Sequence, residues 1–126
     1  MKKILIACSI IIIITINLYA QNNSSKLLGI WKLVKIKEST AKKFIAPIYQ
    51  MTYQFFDDGN LVVNNNSFRE RTYWNWHFTN KGILRLKSKN GDSRFVGKAY
   101  FKSKNIFIYK LYFKDKKIYY WIFQKM

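Results

Sequence analysis

Between residues 27 and 124 the chain repeats one unit, a short apolar-rich run followed by a turn made of Asp, Asn, Gly and Lys. Eight such runs follow one another, and none has the apolar spacing of an amphipathic helix. The short turns favour antiparallel pairing of consecutive strands. An open eight-stranded meander would expose its first and last strands as apolar edges, and closure removes both edges. The sequence therefore predicts an all-β fold, a single up-and-down antiparallel eight-stranded barrel.

The predicted strands are separated by turn residues that accept positive φ angles. Asp57-Asp58-Gly59-Asn60 and Asn90-Gly91-Asp92 are strong hairpin signals because Asp, Asn and Gly adopt such angles at little cost. The linker over residues 38–50 contains Pro47 and is the longest connection. Between these breaks the predicted strands cover residues 27–37, 51–56, 61–64, 68–78, 83–88, 94–101, 106–113 and 118–124.

Residues 1–20 have the layout of a secretory signal peptide. Lys2 and Lys3 precede an apolar stretch from Ile4 to Ile16, and Ala20 is the small residue that cleavage requires. A helix of about 13 residues is too short to span the roughly 30 Å hydrocarbon core of a membrane, and a retained N-terminal anchor is the alternative. We therefore expect cleavage before Gln21, a domain over residues 21–126, and an exported protein in the periplasm, in the outer envelope or outside the cell.

Cys8 raises a second possibility for the N-terminus. Leu5-Ile6-Ala7-Cys8 has the spelling of a lipoprotein box, in which the cysteine is lipidated and becomes the first residue. Most of the apolar segment lies beyond Cys8, so a lipid anchor there is the less favoured alternative. Once residues 1–20 are removed the chain has no cysteine, and disulfides cannot contribute to its stability.

The chain is strongly basic. Its net charge is +17, and removal of Lys2 and Lys3 would leave +15. Such a charge attracts anionic surfaces in a salt-dependent manner. The alternative is a cationic surface that keeps the protein soluble and has no anionic partner. Strand parity places four of the candidate anion-binding residues on the outer face of the predicted barrel. The other two candidates, Lys35 and Lys37, share the parity of Trp31 and would lie at the mouth of the barrel. The four outward candidates are Arg69, Arg71, Arg85 and Lys87.

Two kinds of anionic partner fit a basic stripe beside aromatic residues. Single-stranded nucleic acid binds such platforms on small barrels, but the export signal argues against a nucleic-acid partner. An anionic envelope component, such as lipid A phosphates or an acidic glycan, fits the expected address better.

The inward parity of the predicted strands is rich in aromatic residues. These rings could line a pocket for an apolar ligand, or they could fill the interior, because an eight-stranded barrel is only just wide enough for its own side chains. Glu70 and Thr72 share the parity of the tryptophans, and they would orient a ligand if they face inward. The pocket candidates are Trp31, Phe55, Glu70, Trp74, Trp76, Phe95, Phe107 and Tyr109.

The sequence contains little that could support catalysis. It has one histidine, His77, and six acidic residues, most of them in turns. His77 lies on the outward parity without partners for a catalytic or metal site, and we interpret it as exposed and functionally silent. Asp57 and Asp58 offer too few ligands for calcium and are interpreted as turn residues. We therefore predict a protein that is not an enzyme, with no catalytic residues, no metal and no cofactor.

Four motifs occur in a fixed order along the chain: Gly29-Ile30-Trp31-Lys32-Leu33-Val34, Phe55-Phe56-Asp57-Asp58-Gly59-Asn60, Trp74-Asn75-Trp76 and Leu84-Arg85-Leu86. In this order they resemble the bacterial lipocalin-like domains of exported proteins, over the whole chain after the signal. The resemblance implies a barrel whose closed end is plugged by Trp31. It also implies an arginine over that ring near the end of the last strand, and this chain departs from that pattern because only Lys125 is available there. The family shares a barrel and not a reaction.

Two functional hypotheses follow. The first is an exported, non-enzymatic barrel that binds a small hydrophobic or amphipathic molecule. The alternative is a cationic envelope-associated protein with a packed barrel, which binds anionic lipid head groups or glycans by charge. The sequence leaves the oligomeric state open.

Overall fold

A computed structural model of the protein describes residues 24–126, so the predicted signal peptide, Cys8 and the expected N-terminus at Gln21 lie outside the described residues. No helix within residues 24–126 is long and apolar enough to cross a membrane. The strands are β1 (Gly29–Glu38), β2 (Met51–Phe55), β3 (Asn60–Asn65), β4 (Glu70–Phe78), β5 (Ile83–Ser88), β6 (Arg94–Ser103), β7 (Ile106–Tyr112) and β8 (Ile118–Lys125).

The eight strands form a closed barrel in which each strand pairs antiparallel with its neighbours in sequence. The first and last strands close it, with a register that runs from Trp31 opposite Lys125 to Glu38 opposite Tyr119. The predicted up-and-down eight-stranded barrel is therefore confirmed. Several predicted boundaries were wrong by one or two residues: for example, Leu27 lies in a turn before β1, and Arg69 lies in the turn before β4.

Alternation along the strands places the core inside the barrel. In β5, for example, Leu84 and Leu86 are buried while Arg85 and Lys87 are exposed. The buried residues come from all eight strands and from the turn before β1: Leu27, Trp31, Leu33, Tyr53, Phe55, Leu61, Val63, Phe78, Leu84, Leu86, Ala99, Phe107, Tyr109, Leu111 and Phe123.

A bulge in β1 reverses the parity that the sequence predicts for the second half of that strand. The register with β8 shifts between Leu33 and Lys35, so Ile36 rather than Lys35 packs against the core. An extra residue at a bulge turns every later side chain to the other face. The prediction that Lys35 and Lys37 lie on the parity of Trp31 was therefore wrong, because both lie on the outer face.

Trp31 closes the end of the barrel at which β1 begins. Its ring is fully buried, its indole N–H donates to the Leu27 carbonyl at 2.8 Å, and it packs edge-on against Phe107 at a centroid distance of 4.7 Å. The Lys125 ammonium lies 5.6 Å from the Trp31 ring centroid, within the range of a cation–π contact. We call this the closed end.

Gly97 in β6 allows two strands to approach closely. A Cβ atom at this position would lie 2.0 Å from the carbonyl oxygen of Lys110 in β7. Only a residue without a side chain fits there. Such glycines let the strands of a small barrel bend sharply enough to close.

The connection from β1 to β2 is held against the barrel. Ile36 and Ile45 exchange two backbone hydrogen bonds of 2.9 Å, so the connection pairs with β1 beyond the short β2. This connection lies at the end opposite Trp31, together with the turns between β3 and β4, β5 and β6, and β7 and β8. We call this the open end.

Candidate functional site

Aromatic rings gather at the open end of the lumen. Phe95 stacks against Trp74 at a centroid distance of 5.6 Å, lies 5.5 Å from Trp121, and meets Phe113 edge-on at 6.0 Å. All four rings are half-buried, although most of the large apolar side chains below them are fully buried. We call Trp74, Phe95, Phe113 and Trp121 the open-end cluster. These rings present an apolar surface at the mouth of the barrel.

Below the open-end cluster the barrel interior is filled by side chains. The rings of Phe107 and Phe123 stack at 4.5 Å, and Tyr53 meets Phe123 edge-on at 5.0 Å. The Tyr109 hydroxyl donates to the Leu84 carbonyl at 2.7 Å, and burial raises the pKa of Tyr109 and of Tyr53 well above the ordinary tyrosine value. A buried, neutral, tightly packed layer of this kind supports the barrel and gives a ligand no room.

The structure separates the predicted pocket residues into three groups. Trp31, Phe55, Phe107 and Tyr109 belong to the packed interior and the closed end. Trp76 is half-buried toward the closed end, where its ring meets Phe55 at 5.6 Å and its indole N–H donates to the Phe56 carbonyl at 2.8 Å. Trp74, Phe95 and Glu70 lie at the open end.

Polar groups lie beside the open-end cluster. The Trp74 indole N–H donates to the Thr72 hydroxyl at 2.8 Å, which fixes the orientation of that ring. Glu70, at the start of β4, shares the lumen parity of Trp74 but is exposed. The polar side chains that the sequence predicts to orient a ligand are therefore at the rim of the mouth.

Sequence reasoning missed Trp121 as a pocket residue. Strand β8 is apolar on both faces, so alternation alone does not say whether Trp121 faces the lumen or the outside of the barrel. The signal that identifies it is the pairing of β8 with β1, in which Leu33 opposes Phe123 and Ile36 opposes Trp121.

The basic candidates do not form one stripe. Arg69 and Arg71 border a depression of about 540 Å³ beside the turn between β3 and β4. Arg85 and Lys87 border a second, of about 430 Å³, on the outer face of β4 to β6. Lys35 borders a third, of about 260 Å³, between Val34 and Ile122. Lys37 lies over the Phe44 ring at 5.4 Å.

The outer wall of the barrel carries cations without carboxylates. In the described chain the only strand residues with carboxylates are Glu38 and Glu70, both at strand ends. The outward cations are Lys32, Lys35, Lys37, Arg71, Arg85, Lys87, Arg94, Lys98, Lys102 and Lys110. These cations lie on β1 and on β4 to β7, and this part of the wall should attract anions and anionic surfaces.

The side chains that could act in catalysis or bind a metal ion are not clustered in the described part of the chain. His77 is exposed opposite Arg85, and no group of three or more His, Cys, Asp or Glu within residues 24–126 could hold a metal ion. Asp58 accepts a hydrogen bond of 3.0 Å from the Asn60 backbone N–H, and this bond lowers the pKa of its carboxyl. The contact is that of a turn residue that stabilises its own hairpin.

Comparison with solved structures gives a fold but no family. A designed fluorescence-activating β-barrel is similar to this chain, with a TM-score of 0.50 and 12% sequence identity over 82% of this chain and 96% of the designed one. No protein-family model matches the chain, and no curated protein matches it significantly. At 12% identity the likeness concerns the barrel alone. The chain is thus an eight-stranded antiparallel up-and-down barrel.

Proposed function

We propose that this chain is an exported, non-enzymatic, lipocalin-like protein that binds a small hydrophobic or amphipathic molecule at the open end of its barrel. The observation that carries the proposal is the half-buried state of Trp74, Phe95, Phe113 and Trp121 above a packed interior. Apolar pockets with a few polar groups at their edge are typical of small-molecule sites. The site is shallow, because the layer beneath it is filled.

Three features support the finer parts of the proposal. Trp31 occupies the closed end, as the lipocalin-like resemblance implies, and Lys125 lies over its ring at the place of the family's arginine. The signal-peptide layout supports export. The similar solved structure is a barrel designed to activate fluorescence, although its 12% identity to this chain transfers the fold and not the ligand.

An amphiphile fits the mouth better than a purely apolar molecule. The rings of the open-end cluster would contact its apolar part, and cations on the nearby strand ends would attract an anionic head group. Arg94, at the start of β6, and Arg71, in β4, are exposed near this end. Fatty acids combine both properties and are suitable first probes.

Calorimetric titration with oleate tests the proposal. We expect Trp121→Leu to weaken oleate binding by up to about tenfold, because a loss of about 1.4 kcal/mol is near the upper end for one aromatic contact. Trp76→Leu is the matched control, because Trp76 is also half-buried but lies toward the closed end. Oleate binding that is absent in the natural protein, or equally reduced by both variants, would contradict a site at the open end.

The alternative function, attachment to an anionic envelope by charge, is favoured by the outer wall. Ten outward cations face no outward strand carboxylate in residues 24–126. Attachment of this kind weakens steeply with added salt, because exposed charges are screened within about 8 Å at physiological ionic strength. It predicts that Arg85→Gln with Lys87→Gln reduces binding to anionic vesicles while oleate binding is unchanged.

A further inference from the structure

Large apolar side chains are exposed together on two loops at the open end. Ile48 is 85% exposed, Ile45 59% and Phe68 58%, and Phe44 and Tyr49 are also exposed. Four of these residues belong to the connection between β1 and β2, and Phe68 belongs to the turn between β3 and β4. We call these five residues the apolar loop patch. Contiguous exposed apolar patches mark interaction surfaces more often than isolated apolar residues do.

The two loops form one surface. The Tyr49 and Phe68 rings lie 4.9 Å apart, the Gln50 N–H donates to the Ser67 hydroxyl at 3.0 Å, and the Asn66 N–H donates to the Gln50 carbonyl at 2.7 Å. The backbone bonds between Ile36 and Ile45 fix the other side of the patch to β1. The apolar side chains are therefore displayed outward by a hydrogen-bonded backbone.

The charges around the patch have one predominant sign. Lys42 and Lys43 lie within the first loop, which has no acidic residue from residue 39 to residue 50. Arg69 and Arg71 follow Phe68, with Glu70 between them, and Glu38 ends β1 just before the first loop, so four cations stand against two carboxylates. An apolar tip surrounded by cations is complementary to a surface that offers hydrocarbon beneath anionic groups. An anionic lipid bilayer offers such a surface, and Lys and Arg side chains of the protein would contact its head groups.

We infer that the open end docks onto an anionic membrane surface, with the apolar loop patch inserted among the head groups. Interfacial attachment is strongest when apolar burial and attraction to anionic lipid act together, as both do here. The docked orientation turns the mouth of the barrel toward the bilayer. The inference concerns residues outside the open-end cluster and does not depend on ligand binding there.

Co-sedimentation of the protein with vesicles tests the inference. The vesicles contain phosphatidylcholine with a minor share of phosphatidylglycerol, or phosphatidylcholine alone. We expect binding to the anionic vesicles only, and we expect Ile48→Ser with Phe68→Ser to weaken it at least about tenfold, because two inserted apolar side chains are lost. Ile30→Ser with Tyr100→Ser is the control, since both residues are exposed and apolar but lie outside the patch.

Charge variants separate docking by the loops from attraction by the whole wall. We expect Lys42→Gln with Lys43→Gln to weaken vesicle binding by about fivefold for each cation removed. Arg85→Gln with Lys87→Gln removes the same charge from the outer wall and should have a smaller effect. Equal effects of the two pairs, together with unchanged binding of the Ile48→Ser and Phe68→Ser variant, would overturn the inference in favour of attraction by charge alone.

Two further measurements address other occupants of the patch. Sedimentation velocity without lipid should show the same mass for the natural protein and for the Ile48→Ser and Phe68→Ser variant. A dimer that this variant dissociates would show that a second copy covers the patch, which overturns the inference. Oleate titration of the same variant should be unchanged, so that loss of docking and loss of ligand binding are distinguishable.

Discussion

Replacement of Trp31 tests how the closed end contributes to stability. Trp31 is fully buried, contacts the rings of Phe107 and Phe101, and has its indole N–H paired with the Leu27 carbonyl. Truncation of a buried tryptophan to alanine costs about 3–5 kcal/mol, since apolar burial is lost and a cavity remains. A domain of this size has about 5–15 kcal/mol of stability in all, so the loss would be a large part of it.

The assay is equilibrium unfolding in urea of the natural protein and three variants. We expect Trp31→Ala to lose about 3–5 kcal/mol, and Trp31→Phe to lose about 1–3 kcal/mol, because the smaller ring leaves the Leu27 carbonyl without its donor. Tyr73→Ala, at a position 46% exposed, is the control and should change stability by less than about 0.5 kcal/mol. A loss below about 1 kcal/mol for Trp31→Ala would refute the assignment of Trp31 as the plug of the barrel.

Two other predictions concern strand approach and pH. Gly97→Ala should destabilise the protein by at least about 1–3 kcal/mol in the same urea assay, because its Cβ would lie 2.0 Å from the Lys110 carbonyl oxygen. Gly91→Ala is the control, because its Cβ would lie 3.8 Å from the Ser88 hydroxyl, an ordinary contact distance, and equal stability of the two variants would contradict the close approach. Burial raises the pKa of Tyr53, so above about pH 10 the unfolded chain loses a proton that the folded chain retains, and stability should fall with pH. Tyr53→Phe should reduce this fall by up to about 1.4 kcal/mol per pH unit. The measurement is a series of urea titrations from pH 9 to pH 11, a range centred on the ordinary tyrosine pKa. Equal losses of stability in the natural protein and in the Tyr53→Phe variant would contradict the prediction.

Strand number, strand order and closure could be predicted because they depend on features spread along the whole chain. Turn residues separate eight runs, and the apolar edges that an open sheet would leave require that β1 meet β8. Alternation within single strands also predicted the lumen faces of β4 and β5, where Trp74 and Leu84 point inward.

The second half of β1 could not be predicted in the same way. Leu33 and Val34 are both apolar, and apolar and basic residues alternate only from Val34 to Lys37, so this run fits either face. The position of the bulge depends on the pairing with β8. The same pairing decides the orientation of Trp121 in a strand that is apolar on both faces. Both errors concern contacts between residues far apart in sequence, which periodicity along one strand does not record.

The two ends of this barrel differ in how completely their aromatic and apolar side chains are buried. At the closed end the Trp31 ring is fully buried, its indole N–H is paired with the Leu27 carbonyl, and Lys125 lies over the ring. Contacts that stabilise the fold therefore explain why these three residues lie there. At the open end four half-buried rings and five exposed apolar loop residues remain in contact with water, and burial of such surface would be favourable by about 25 cal/mol for each Å² covered. Because the packed layer beneath already closes the lumen, stability does not require these side chains to be apolar. An amphiphile over the rings and a membrane against the loops would remove the same kind of surface at the same end, and together they would explain why these rings and loop residues are apolar.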